Sequence, residues 1–206
     1  MIIRRFINQL MQSNCYVLSK NGRCIIVDPA SEKSEDVIQF VEDENLVPDF
    51  IILTHEHSDH TWGVNALLEY CPSIRVLTCK ACTIELPKAW QSYFKFYYDD
   101  PEYSYYVERV DVTAEELESH LEWEDEMFEF MYTPGHSRGS MCFRVGNKLF
   151  SGDTLMMSKP FLNKRDGNRE DYQKSIAKLL MWVDELTEVY PGHGDVFVVK
   201  DYLDKK

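Results

Sequence analysis

The sequence is poor in basic residues. Of 206 residues, 22 are Lys or Arg and 35 are Asp or Glu, which gives a formal net charge of -13. Because nonspecific nucleic-acid binding depends on basic side chains that neutralise phosphates, this balance argues against a nucleic-acid partner. The sequence also lacks any run of about 18 apolar residues, the length of a membrane-spanning helix, so no membrane partner is expected. The first residues, MIIRRFINQL, contain no apolar segment of signal-peptide length, and we expect a cytoplasmic protein.

Cysteine pairs with the spacing of a metal or redox motif are almost absent. The only CxxC is Cys79 and Cys82, and no second pair completes a four-cysteine zinc site. We interpret it as structural, the alternatives being redox chemistry or half of a zinc site. Without an export signal, free and mostly buried thiols are expected at all six cysteines, which are Cys15, Cys24, Cys71, Cys79, Cys82 and Cys142.

What the sequence does have is short, well-separated apolar runs. Its length and 44% hydrophobic content suit one domain over residues 1–206. Periodicity in the first half predicts strands at 15–19 and 23–28, a helix over 34–46, a strand at 50–53, a helix from 64 to about 71 and a strand at 75–79. The second half predicts strands at 127–133, 141–145 and 148–151, a helix over 171–186 and a strand at 188–190. The order of strands and helices in the first half recurs in the second half. This recurrence favours two αβ halves whose sheets form the inner layers.

Residues 86–125 break this pattern, because they are dense in aromatic and acidic residues. We predict a helical insertion here, which either packs on the body of the domain or walls a substrate pocket. The two roles are compatible. His120, in the polar stretch EELESHLEWED, is expected to be a solvated side chain.

The stretch HEHSDH, directly after the strand at 50–53, contains His55, His57, Asp59 and His60. A turn after a strand can direct several side chains to one point, and neutral imidazoles with a carboxylate suit zinc, iron and other divalent metals. Four potential ligands within six residues therefore predict a metal site.

Three more candidate ligands follow strand-like runs and adjoin glycine: His136 in TPGHSRGS, Asp153 in SGDTL and His193 in PGHG. Glycine allows the sharp turns and close backbone approach that such a site needs. The alternative is that each histidine satisfies a buried turn independently. Their equivalent positions favour a single shared site.

These motifs together resemble those of the metallo-β-lactamase-fold hydrolases. HEHSDH is similar to the HxHxDH motif of that family, and TPGHS, GDT and PGHG follow in the family's order, with NCYVL and IVDPA earlier in the chain. The resemblance implies an α/β fold, an αββα four-layer sandwich in which two mixed β-sheets pack face to face with helices outside. It places the metal site at one edge, between the sheets.

The resemblance also implies a dinuclear centre. One ion would be held by His55, His57 and His136, the second by Asp59, His60 and His193, with Asp153 bridging. Two divalent ions, zinc in the first instance with iron or manganese as alternatives, lower the pKa of a shared water enough to give hydroxide near neutral pH. Asp59 would be the catalytic residue that orients this nucleophile and transfers its proton. Asp28, in IVDPA, is either a partner of a ligand or a turn residue.

Within the family, Asp153 stands where the zinc β-lactamases commonly have cysteine, and the sequence looks most similar to the glyoxalase II group of thioesterases. Thirteen residues follow His193, so we expect no C-terminal glutathione-binding domain. The expected activity is hydrolysis of a small thioester or ester-like substrate. The alternatives are an Fe(II) persulfide dioxygenase using His55, His136 and Asp153, and a phosphodiester or lactone hydrolase.

Overall fold

Two six-stranded β-sheets are the main elements of the computed structural model, which describes residues 1–9, 11–88, 105–162 and 165–205. The strands of the first sheet, in spatial order, are β1 (Ile2–Ile7), β2 (Asn14–Lys20), β3 (Arg23–Val27), β4 (Val47–Ile52), β5 (Arg75–Thr78) and β6 (Val112–Thr113). The pairs β1–β2 and β2–β3 are antiparallel, and the strands from β3 to β6 are parallel. The hairpin predicted at Asn21 and Gly22 is confirmed, with φ values of 52° and 76°.

The second sheet is mixed as well. Its strands are β7 (His120–Trp123), β8 (Glu126–Tyr132), β9 (Met141–Val145), β10 (Lys148–Gly152), β11 (Glu188–Pro191) and β12 (Phe197–Val198), in the spatial order β12, β11, β10, β9, β8, β7. Only β10 and β11 pair in parallel within it. The predicted strands of the second half are therefore confirmed.

Six helices are found in the described residues: α1 (Glu35–Asp43), α2 (Ser58–Thr61), α3 (Val64–Tyr70), α4 (Lys80–Glu85), α5 (Arg169–Trp182) and α6 (Val199–Leu203). Helices α1 and α3 bury Val37 and Leu67 in the core that they share with the first sheet. None of the helices in this part of the chain is long and apolar enough to cross a membrane.

The main core lies between the sheets and is rich in aromatic rings. Phe143 of β9 stacks on Phe150 of β10 with ring centroids 4.6 Å apart, and Phe150 meets Tyr16 of β2 edge to face at 5.5 Å. The residues that alternate with them, Cys142 and Leu149, point the other way and form a second cluster with α5. One face of the second sheet thus packs on the first sheet and the other on a helix, which confirms the predicted sandwich.

The structure corrects part of the insertion predicted over residues 86–125. Residues 89–104, which contain most of its aromatic rings, lie outside the described residues. Farther along, β6 pairs with β5 and β7 pairs with β8, so these residues complete the edges of both sheets and are not helical. The physical reason lies in β7, where Trp123 is buried against Phe128 while Glu122 is exposed. This alternation overrides the acidic composition that suggested a helix. His120 is exposed, as expected.

The CxxC pair is structural. The Cys79 thiol accepts a hydrogen bond from the backbone N–H of Cys82 at 3.4 Å, which caps α4, and donates one to the carbonyl of Gly139 at 3.1 Å. Burial raises the pKa of Cys79 to about 12, which suppresses thiolate chemistry. All six cysteines are free, and all but Cys71 are buried, as predicted.

Candidate metal centre

The HEHSDH residues lie at the edge of the first sheet where β3 and β4 end. Both strands run parallel, so their carboxyl ends meet there. Asp28, just after β3, accepts hydrogen bonds from the Thr54 backbone N–H at 2.8 Å and from the Thr54 hydroxyl at 2.6 Å. These two bonds hold the turn that carries His55 away from β4.

The other three candidate ligands come from the second sheet. His136 follows β8, Asp153 follows β10 and His193 follows β11. The sheets are joined at this point, because His193 forms a β-bridge with Ser13 in the loop between β1 and β2. All seven predicted site residues are therefore brought to one edge between the sheets.

Three histidines form the deeper part of the site. The ligand atoms of His55, His57 and His136 lie within 4.8 Å of one another, and all three residues are buried. His57 Nδ1 is 3.0 Å from His136 Nε2, and His55 Nε2 is buried with no hydrogen-bond partner in the described structure. Converging imidazole nitrogens with an unpartnered buried one are the arrangement that a metal ion satisfies.

Each of these histidines is held from outside through its other ring nitrogen. The contacts join His55 Nδ1 to Thr54 Oγ1 at 3.0 Å, His57 Nε2 to Asp166 Oδ2 at 2.9 Å, and His136 Nδ1 to the Phe161 carbonyl at 2.9 Å. Outer partners of this kind fix the tautomer and orientation of metal-ligating histidines. The inward nitrogen of each ring is thereby left to face a common point.

A second group lies nearer the surface. His60 Nε2 is 3.3 Å from His193 Nε2, and Asp59 Oδ2 is 3.4 Å from the same His193 atom. The side chains of Asp59 and His193 are 17% and 24% exposed, whereas that of His60 is fully buried. The site is therefore open to solvent on the side of Asp59 and His193.

Asp153 lies between the two groups. Its Oδ1 is 3.5 Å from His60 Nε2, while its Oδ2 is 3.4 Å from His136 Nε2 and 3.6 Å from His193 Nε2. Oδ1 is buried and makes no hydrogen bond among the described atoms. One carboxylate thus contacts both groups, as the bridging role predicted for Asp153 requires.

Asp28 supports the second group from behind. Its Oδ2 is 3.1 Å from His60 Nδ1, and Thr54, which it also binds, contacts His55. Asp28 lies close enough to His55 and His60 to be a ligand itself, but its oxygens already accept the bonds from Thr54. Asp28 combines both roles that the sequence suggested, because it turns the chain with φ 50° and orients His60.

The electrostatics favour a bound cation. Burial lowers the pKa of His136 to about 4, which keeps its imidazole in the neutral form that binds metals. Burial alone would also lower the pKa of His60, but the surrounding carboxylates, with Asp153 contributing most, outweigh it and raise the pKa to about 10. This clustered negative charge, together with a set of nitrogen and oxygen donors, fits zinc, iron or manganese.

The PGHG loop is fixed by residues of β2. The Asn14 side-chain amide donates hydrogen bonds to the carbonyls of Pro191 at 2.9 Å and Gly194 at 2.8 Å, and the Tyr16 hydroxyl donates to Pro191 at 2.8 Å. The NCYVL stretch therefore positions His193. Asp166 was not predicted as a site residue. Gly167 follows it, but Asp166 comes after no strand-like run and has no histidine near it in the sequence.

The sequence matches a known protein family over most of its length. The family described as the metallo-beta-lactamase superfamily matches residues 9–193. A relative in Bacillus subtilis (strain 168), named "Probable metallo-hydrolase YqgX", is 28% identical over 207 residues, which cover 93% of this chain and 90% of the relative.

Two further similarities bear on the reaction. A hydroxyacylglutathione hydrolase of Aliivibrio fischeri (strain MJ11) is 27% identical over 175 residues, which cover 85% of this chain but 58% of that protein. The solved structure of the B3 metallo-beta-lactamase BLEG-1 superposes with a TM-score of 0.84 at 26% identity, covering 98% of this chain and 97% of the other. The similarity therefore extends both to a hydroxyacylglutathione hydrolase and to a metallo-beta-lactamase.

Proposed function

This chain belongs to the metallo-beta-lactamase superfamily, and we propose that it is a dinuclear metal hydrolase that cleaves a small thioester or ester-like substrate. The observation that carries the proposal is the position of Asp153, whose two oxygens contact ligand candidates of both groups. His55, His57 and His136 would hold one ion, and Asp59, His60 and His193 the other. Zinc is the expected metal, with iron or manganese as alternatives.

Two divalent ions held by these residues would supply Lewis acidity and would lower the pKa of water enough to provide a nucleophile near neutral pH. The chain's own contribution is to hold its donors in place before substrate arrives. Because the three deeper histidines are buried and bound from outside, they cannot turn towards solvent. This rigidity keeps the reacting centre in a fixed geometry.

Asp59 is the residue best placed to handle the proton. Burial would raise its pKa, but His60 and His193 outweigh burial and hold the pKa of this carboxyl below its ordinary value. An ionised carboxylate at the open side of the site accepts a hydrogen bond from the attacking water and orients it towards the acyl carbon. The proton taken there is available to the leaving group.

The thioester assignment rests on the hydroxyacylglutathione hydrolase relative together with the motifs that resemble its group. Since the match covers 58% of that relative, the proposal includes the acyl thioester but not glutathione as the leaving group. A second candidate is hydrolysis of a cyclic amide, which the likeness to BLEG-1 favours.

The test combines metal analysis with a substrate panel. We expect two metal ions per chain by plasma mass spectrometry, and thiol release from S-acyl thioesters, detected with a thiol-reactive chromophore. Asp59→Ala should lose most turnover, while Asp43→Ala, an exposed change on α1, should keep it.

Other outcomes would replace the proposal. Cleavage of β-lactams, lactones or phosphodiesters in preference to thioesters would reassign the substrate class. One iron per chain with oxygen consumption on a persulfide would identify a dioxygenase. A protein that binds no metal after reconstitution would overturn the proposed function altogether.

A further inference from the structure

Asp166 lies behind His57, on the side away from the candidate metal position. Its side chain is almost fully buried, at 1% exposure, and its Oδ2 is 2.9 Å from His57 Nε2. His57 is buried as well. Burying a carboxylate in the interior reduces the stability of the folded chain unless the carboxylate makes a strong hydrogen bond, and the neighbouring imidazole nitrogen provides one here.

The direction of this contact determines which nitrogen of His57 is left to bind metal. A neutral imidazole carries one N–H and one lone pair, and an ionised carboxylate can only accept. The proton must then lie on Nε2, so that the lone pair is on Nδ1. That atom is 3.0 Å from His136 Nε2, on the side where the ligand candidates converge.

We propose that Asp166 is a positioning residue of the metal centre: its carboxylate fixes His57 in the Nε2–H tautomer and makes Nδ1 a better donor to the ion shared with His55 and His136. This inference rests on the proposed function, since it requires that the site hold a metal. Asp166 itself does not touch substrate or metal in this assignment.

The partners of the neighbouring histidines show why Asp166 matters for one ion in particular. The outer nitrogen of His55 meets a hydroxyl and that of His136 meets a backbone carbonyl, both uncharged. Hydrogen bonds to an ionised group are roughly twice as strong as neutral ones. In the second group the charged partner is Asp28, behind His60. Each ion thus has one histidine supported by a buried carboxylate.

The test measures metal binding, not activity alone. Wild type, Asp166→Asn and Asp166→Ala are stripped with a chelator and titrated with zinc against a chromophoric competitor. Asparagine keeps an acceptor but loses the charge, so we expect about tenfold weaker binding of one of the two ions. For Asp166→Ala we expect the binding of that ion to be about 100-fold weaker, which is the upper end of the effect of removing a hydrogen-bond partner from a metal ligand. Asp125→Asn, an exposed change in the turn before β8, is the matched control and should leave both affinities unchanged.

A spectroscopic readout separates positioning from general loosening. In NMR spectra of protein with ¹⁵N-labelled histidine, the zinc-loaded wild type should show a solvent-protected Nε2–H signal from His57. This signal should be absent in Asp166→Ala and at least partly present in Asp166→Glu. If Asp166→Ala does not fold, the zinc titration and the histidine signal of Asp166→Asn and Asp166→Glu test the proposal instead.

The outcomes distinguish the two proposals. Two tightly bound ions in wild type and unchanged affinities in the Asp166 variants would overturn the role of Asp166 while leaving the proposed function intact. Equal loss of both ions in a folded Asp166→Asn protein would also contradict it, because the inference assigns Asp166 to one ion. A wild type that binds no metal would overturn both.

Discussion

At Asp153 a single carboxylate joins the deeper and the outer part of the site, through contacts of 3.4 to 3.6 Å to His136, His60 and His193. Replacing it should affect both ions, whereas the contacts of the Asp59 carboxylate with other ligand candidates, within the described residues, are to His60 and His193 of the outer group. We expect Asp153→Ala to bind at most one ion, and weakly, and Asp59→Ala to keep the deeper ion. Metal content after gel filtration checks this, with Asp43→Ala as the control. Equal metal content in both site variants would contradict the bridging position of Asp153.

Gly192 is needed for space. A Cβ on this residue would lie 2.2 Å from Asp153 Oδ1 and 2.8 Å from His60 Cε1, closer than atoms pack. We expect Gly192→Ala to lose metal binding while retaining the fold, since the displaced groups belong to the site. Gly194→Ala is the comparison. No atom of the described residues lies within 4 Å of its Cβ, so the substitution adds only the strain of φ +82°, about 1–3 kcal/mol. Metal titration and circular dichroism of both variants test this. Normal metal binding by Gly192→Ala would contradict the prediction and would show that the PGHG loop shifts to accommodate the added Cβ.

At the scale of single residues, the sequence was sufficient to predict the side chains whose residue type and local pattern indicate metal binding. Histidine and aspartate beside glycine at strand ends pointed to a metal site, and the structure brings all seven together. Asp166 could not be found in this way, since a lone aspartate in a polar stretch looks like any solvated side chain. Its partner, His57, lies 109 residues away in sequence.

Among the elements, Glu56 connects the loop between β4 and α2 to the loop between β8 and β9. Its buried carboxylate accepts hydrogen bonds from the Ser137 hydroxyl at 2.8 Å and the Gly139 backbone N–H at 3.3 Å. Glu56→Ala leaves both donors buried without this partner, so we expect a loss of about 1–3 kcal/mol in the free energy of unfolding. Urea denaturation checks the value against Glu122→Ala, an exposed change on β7. A loss as small as that of the control would mean that water replaces the carboxylate.

Most elements were predictable because their apolar residues repeat with the period of a strand or a helix. The periodicity did not predict the edge strands β1, β6, β7 and β12 or the short helices α2, α4 and α6. Strand β6 has only two residues, and the charged residues of β7 obscured the alternation that buries Trp123. Short edge strands of this kind depend on a neighbour for their hydrogen bonds. Such pairing lies in the tertiary structure and not in local periodicity.

For the whole molecule, the division of the ligands between the halves has a thermodynamic consequence. His55, His57, Asp59 and His60 follow the first sheet, whereas His136, Asp153 and His193 follow the second. The sequence shows that these residues exist, but only packing of the two sheets across Phe150 and Tyr16 brings them together. The complete site is therefore a property of the folded state.

A ligand that binds the folded chain and not the unfolded one raises the midpoint of thermal unfolding. At a free metal concentration about 100 times Kd, the stabilisation is about 2.7 kcal/mol, which corresponds to an increase of about 5–10 °C in Tm for a chain of this size. We expect zinc to give this increase in the wild type and Asp153→Ala to lose most of it, as measured by differential scanning calorimetry of metal-free and reconstituted protein. Asp43→Ala should behave as the wild type. If zinc raised the Tm of Asp153→Ala as much as that of the wild type, the carboxylate common to both ligand groups would be dispensable for this stabilisation. Zinc would then stabilise the chain from another site.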